Sequence, residues 1–205
     1  LAASRLRHDA EEWEPASPFW DPPDRNAHAP ALWFDGERTI YQFVGLSAAA
    51  TWGNTALVMR TSEDSGATWS RPRFIDPEHG PGISGKSQHM PIPSVFRAAD
   101  GSIVLPCDSP GGTSLHISRD QGRTWSEEIV IEPPEAQYRV PAWITIFAVP
   151  GTGRVYVFYW HNCNGVPLRD AGDIFLRFSD DDGLTWSKRR RVGVPRTSMD
   201  RDEPG

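Results

Sequence analysis

Apolar positions in this chain come in short bursts, and each burst ends at Gly, Pro, Asp or Ser. Bursts that short, rich in β-branched and aromatic residues, predict strands rather than helices. The same order recurs along the chain. A proline (Pro30, Pro93, Pro141) is expected at the start of a first strand, and a turn follows at Asp35-Gly36, Asp100-Gly101 or Gly151-Thr152-Gly153. Second strands are predicted over 39–44, 102–105 and 154–160, and third strands over 56–61, 114–117 and 174–178. Fourth strands are predicted over 73–76 and 128–132. The longest bursts, Ile144 to Val149 and Val155 to Trp160, are far shorter than a membrane span.

Each third strand runs into one octapeptide: Ser62-Glu63-Asp64-Ser65-Gly66-Ala67-Thr68-Trp69, then Ser118-Arg119-Asp120-Gln121-Gly122-Arg123-Thr124-Trp125, then Ser179-Asp180-Asp181-Asp182-Gly183-Leu184-Thr185-Trp186. The copies begin 56 and 61 residues apart, and a further serine (Ser70, Ser126, Ser187) follows each. Chemically the motif is a tight turn. Ser and Asp side chains satisfy its amides, Gly takes a positive φ, and Trp folds back as an apolar plug. Four antiparallel strands per period of this length describe one blade of a β-propeller.

Composition narrows the class further. Gly 18 and Pro 19 in 205 residues leave no room for a helical bundle, and Trp 9 with Phe 9 suits many short strands anchored by large rings. A net charge of −6 excludes general affinity for nucleic acid, so no nucleic-acid partner is expected, nor any membrane span. The two cysteines, Cys107 and Cys163, form no disulfide framework; both are expected in loops of adjacent blades, as free thiols. No cofactor is implied.

The S-x-D-x-G-x-T-W repeat resembles the Asp-box, or bacterial neuraminidase repeat, of the sialidase superfamily. The resemblance covers residues from about 28 to 195. It implies an all-β fold, a β-propeller of the six-bladed sialidase type, with about three four-stranded blades here. Blade units are expected at 28–80, 86–134 and 138–195 within a partial propeller at 28–205, after a lead-in segment at 1–27. Six such periods need roughly 340 residues, so further C-terminal blades of the same chain are expected as partners. An arc of three blades is expected to present two apolar stacking faces and to self-associate.

Antiparallel connectivity sorts the loops. The octapeptide turns fall on one face, and the first-strand starts fall on the other with the loops between second and third strands (45–54, 106–113 and 161–172). Tyr138-Arg139-Val140-Pro141 resembles the sialidase Tyr/Phe-Arg-Ile-Pro motif, which makes Arg139 the candidate that grips a substrate carboxylate through its two-bond fork. Asp170, in Arg169-Asp170-Ala171-Gly172-Asp173, matches the family's acid/base aspartate, while Asp173 is expected to open a third strand. In the family the Arg motif opens the first blade. Here two units precede it, with His28-Ala29-Pro30 and His89-Met90-Pro91 at the equivalent places. His28, Lys86, Gln88, His89 and His161 are therefore candidates for lining a glycan pocket.

Other motifs carry less. Gly80 to Ser87 fits a phosphate-loop pattern, but Pro91 and Pro93 forbid the helix that pattern requires. Asp180-Asp181-Asp182-Gly183 lacks the later acidic ligand of a calcium loop, and no His spacing suits a metal. Lys188 to Arg191 is expected on an outermost strand, where charge protects the edge. The expected function is an exo-sialidase-like glycoside hydrolase, with its Tyr–Glu nucleophile pair and remaining arginines outside this chain. The alternatives are a non-catalytic carbohydrate-binding propeller and a propeller enzyme acting on another anionic or neutral glycan.

Overall fold

The computed structural model describes residues 1–47, 54–77, 87–109, 111–135, 141–162 and 172–195, with only the backbone of Ser87 and Gln88. A short hairpin, β1 (Ala2–Ala3) with β2 (Ser17–Pro18), comes first. The first sheet is β3 (Asn26–Phe34), β4 (Ile40–Ser47), β5 (Asn54–Ser62) and β6 (Arg73–Asp76) in meander order. β7 (Ser87–Gln88) pairs in parallel with the start of β5. The second sheet takes β8 (Met90–Pro91), β9 (Phe96–Arg97), β10 (Ile103–Ser109), β11 (Gly112–Ser118) and β12 (Ile129–Glu132), with β8 and β9 both against β10. The third is β13 (Pro141–Ala148), β14 (Val155–His161), β15 (Asp173–Ser179) and β16 (Arg190–Arg191). These are three propeller blades, and the sheets do not close into a ring. Among the described residues no helix is long and apolar enough to cross a membrane.

Two apolar layers hold the blades together. Tyr41, Phe43, Leu57 and Met59 of the first sheet meet Ile103, Leu105 and Cys107 of the second. Val104, Leu115 and Ile117 of the second meet Ile144, Val157 and Tyr159 of the third. Period-2 alternation supplies both faces: Ile103 and Leu105 point one way, and Val104 the other.

Several expectations need correction. Cys107 lies within β10, fully buried, because β10 and β11 run to Ser109 and Gly112 and leave only a tight turn where an eight-residue loop was expected. Cys163 lies outside the described residues. Pro30 sits inside β3 at a bulge, and Pro93 sits in the gap between β8 and β9; a proline cannot donate to a ladder, so the second sheet's first strand is broken there. In the basic run, Arg190 and Arg191 are exposed edge residues, but Arg189 turns in to Glu132 and Glu135. One of the two expected bare faces is covered: residues 1–20 lie against the first sheet, where Phe19 meets Trp69 edge-on at 5.2 Å. The third sheet does expose its outer face, through Trp143, Phe147, Phe158 and Ile174.

Candidate functional site

The octapeptide turns define one end of the array. In the first, Ser62 Oγ donates to Asp64 Oδ1 at 2.8 Å and accepts from Gly66 N at 2.8 Å. Asp64 also accepts from Thr68 N and Thr68 Oγ1 at 2.8 and 2.6 Å. The same bonds recur around Asp120 and Asp181 within 0.1 Å. Hydrogen bonds to the charged form lower all three aspartates to about 2. Ser65-Gly66, Gln121-Gly122 and Asp182-Gly183 are consecutive left-handed pairs, as a reversal this tight requires. Trp125 then packs edge-on to Phe43 across the blade boundary, at 5.7 Å.

Strand register places the candidate residues at the other end. Ser62 pairs with Ile40, whereas His28 pairs with Gly45 toward the far end of β4. Ser179 pairs with Val155, whereas His161 pairs with Pro141 and Asp173 at the far end of β14. Ser118 pairs with Ile103, whereas Met90, next to His89, pairs with Asp108. Arg139, Asp170 and Lys86 lie outside the described residues. Gln88 is placed by its backbone alone, opposite Thr55.

The three histidines differ in environment. His28 is half-buried at a bulge, beside Ala29 at φ 45°, and its buried Nε2 has no hydrogen-bond partner among the described residues. His89 is enclosed. Its N donates to Thr55 Oγ1 at 2.7 Å, its Nδ1 meets Thr55 O at 3.0 Å, and its Nε2 lies 3.5 Å from Asp76. The fit is close enough that a Cβ on Gly45 would stand 2.6 Å from His89 O. His161 is fully buried, edge-on to Phe175 at 5.8 Å, with Nε2 4.0 Å from Glu135. The His89 ring is thus tied to the backbone of β5, and the His161 ring is enclosed between Phe175 and Glu135.

Two features at this end were not foreseen. Asp108 is 6% exposed on β10, and its Oδ2 accepts from Trp143 N of the next blade at 2.7 Å. Burial raises its carboxyl to about 6, against the lowering effect of the Trp143 and Ile144 amides and Thr113. Trp143 has φ 54°, a strained conformation for a bulky residue, and it sits at the bulge of β13. Its exposed ring lies 5.3 Å from that of Trp160. The aspartate thus holds the strained segment that displays the tryptophan pair. Nothing in the local sequence around Cys107-Asp108-Ser109 signals this, since the partner belongs to another blade.

Glu132, Glu135 and His161 bring potential metal-ligand atoms within 4.8 Å of one another. Glu132, however, pairs with Arg177 and with Arg189 at 3.0 Å, and Glu135 with Arg189 at 2.6 Å. Two guanidiniums already neutralise the carboxylates, so the cluster acts as an ion-pair staple between the second and third blades. The Tyr159 hydroxyl beside it is raised by burial to about 12.

Residues 1–127 match the model of the BNR repeat-like domain. The chain belongs to that family. No curated protein matches it in sequence. Among solved structures, this BNR-repeat chain is similar to an exo-β-1,3-galactanase from Clostridium thermocellum, with 13% identity and a TM-score of 0.58 over 84% of this chain and 38% of that one. It is also similar to the Trypanosoma rangeli sialidase in complex with 2,3-difluorosialic acid, with 15% identity and a TM-score of 0.57 over 87% and 31%. The NanB sialidase from Streptococcus pneumoniae is a third, with 20% identity and a TM-score of 0.50 over 69% and 20%. At these identities the likeness establishes the propeller fold. The chain spans between 20% and 38% of the length of those structures.

Proposed function

We propose that this BNR-repeat chain forms part of a propeller glycoside hydrolase of the exo-sialidase kind. The observation that carries the reading is the placement of Pro141. It closes the Tyr138-Arg139-Val140-Pro141 motif and pairs with His161, at the end opposite the octapeptide turns. Asp173, three residues after Asp170, pairs with His161 from the other side. β13 and β15 thus begin at one end of one blade, and in sequence each follows the segment that carries one of the two proposed residues. Membership of the BNR repeat-like family and the propeller likeness to sialidases support the reading.

In this proposal Arg139 grips the substrate carboxylate, for which a rigid guanidinium fork is suited. Asp170 protonates the leaving glycosidic oxygen. The nucleophile belongs to blades beyond those described. The test is hydrolysis of a fluorogenic sialoside by the full-length protein, with thermal unfolding of each variant measured alongside. Asp170→Asn is expected to lower kcat by about 10² to 10⁴ with little change in binding. Arg139→Lys is expected to weaken binding despite the retained charge. A fully folded Asp170→Asn enzyme turning over at the unsubstituted rate removes Asp170 from the mechanism. A folded protein inert toward sialosides but active on galactans or arabinans moves the substrate to another glycan.

A further inference from the structure

The second strands of the first two blades meet the blade that follows at one equivalent place. Ile40 on β4 and Ile103 on β10 pair with the turn serines of their blades, and counted from them Gly45 and Asp108 stand at the same position. Gly45 lies so near the second blade that a Cβ on it would be 2.6 Å from the carbonyl oxygen of His89, the residue before β8. Asp108 faces the start of β13 instead, and its Oδ2 accepts from Trp143 N at 2.7 Å. At the first boundary backbone meets backbone. At the second a carboxylate bridges the gap.

Three donors converge on that carboxylate: the amides of Trp143 and Ile144, and the Thr113 hydroxyl 3.5 Å from Oδ1. Hydrogen bonds to an ionised oxygen are roughly twice as strong as those to a neutral one, so a proton on Asp108 weakens its hold on both amides. Trp143 depends on that hold. Its φ of 54° is costly for a bulky side chain and persists only while neighbouring groups impose it, and the ladder of β13 shifts register at the same place, between Ala142 and Thr145.

Asp108 is 6% exposed, and burial raises its carboxyl to about 6, which puts the change of form at mildly acid pH. The titratable groups on the strands around it are Cys107 on β10, His116 on β11, Glu132 on β12, His161 on β14 and His89 beside β8. Burial pushes the Cys107 thiol up, Glu132 is taken by Arg177 and Arg189, and the charged neighbours of His116 are His89, Glu128 and Asp76. The Asp108 shift is set by its own burial against its three donors. We propose that Asp108 is a pH-sensitive positioning residue for the candidate binding end: ionised it fixes the bulged start of β13, and protonated it lets that start relax and weakens glycan binding. The binding half rests on the exo-sialidase reading above, in which the motif closed by Pro141 at the head of β13 grips the carboxylate. The ionised form is the one that burial disfavours, so the fold gives up stability above about pH 6 to hold this segment.

The test is amide exchange of Trp143 and Ile144 in the full-length protein at pH 5 and pH 7, corrected for intrinsic rates, alongside the Kd of a sialic acid analogue. Protection of both amides is expected to fall about tenfold from pH 7 to pH 5, and the analogue is expected to bind about tenfold more weakly at pH 5. Asp108→Asn, with its fold checked by thermal unfolding, is expected to lose most of both dependences. Protection that stays constant across this range overturns the proposal, whatever the ligand does, and so does a pH-dependent Kd that a folded Asp108→Asn variant retains in full. The exchange arm needs no substitution, so it decides even where that variant fails to fold. A protection change in a protein that binds no sialic acid analogue at either pH upholds the hold of Asp108 on β13 and overturns the sialoside reading instead.

Discussion

Asp108 illustrates how one buried carboxylate can organise a neighbouring blade. Its raised value, about 6 against an ordinary 3.8, is the signature of a charge held out of water by 94% burial and only partly compensated by the Trp143 and Ile144 amides. Because the folded value is the higher one, its contribution to stability is complete below about 3.8 and is lost as pH rises through about 6. Urea unfolding of the protein and of Asp108→Asn at pH 4 and pH 7 isolates this residue from the others. Relative to the Asn variant, the unsubstituted protein is expected to lose about 2–3 kcal/mol between the two pH values. A difference that does not change with pH contradicts the assignment. His116, lowered by its own burial, acts with the opposite sign and cancels in the comparison.

The octapeptide turns show which parts of a blade can be read from residues alone. Each bond that the turn's Ser and Asp side chains make falls within five consecutive positions of the repeat, so Ser62, Asp64, Gly66 and Thr68 carry the turn wherever they recur. Strand positions beside the turns were legible for the same reason, since alternation is local. The broken first strand of the second sheet was not, because it depends on how Pro91 and Pro93 meet β10. Nor were Asp108 and Arg60, whose partners come from another blade or from residues 1–20. Of the proposed chemical residues, Arg139 and Asp170 rest on their motifs, while the enclosure of His89 and His161 depends on Thr55, Asp76 and Phe175, which sequence spacing does not bring to them. Gly122 and Gly36 separate two costs of a turn. Both have positive φ, but a Cβ on Gly122 would stand 3.0 Å from Tyr41, while one on Gly36 meets nothing within 4 Å. Gly36→Ala is expected to cost about 1 kcal/mol from backbone strain, and Gly122→Ala about 2 kcal/mol or more. Equal losses in thermal unfolding would mean that the blade boundary yields freely at Tyr41.

Across the described residues the three blades share one polarity: octapeptide turns at one end, His28, His89 and His161 at the other, and apolar layers between sheets. Among the described residues that arrangement leaves the outer face of the third sheet exposed, with Trp143 59% and Phe147 58% exposed. Apolar surface of this kind drives association. The chain is expected to self-associate at high concentration and to bind a hydrophobic dye, and Phe147→Ser should reduce both with little loss of thermal stability. A monodisperse monomer that binds no dye contradicts the expectation.

The proposed division of labour between the two ends can be measured directly by hydrogen-exchange footprinting of the full-length protein with and without a saturating sialic acid analogue. The account predicts slowed exchange at the start of β13, around Asp108 and in the segments preceding β15, with no change in residues 62–69, 118–125 and 179–186. Protection concentrated in those octapeptide turns, with none at the opposite end, would contradict it.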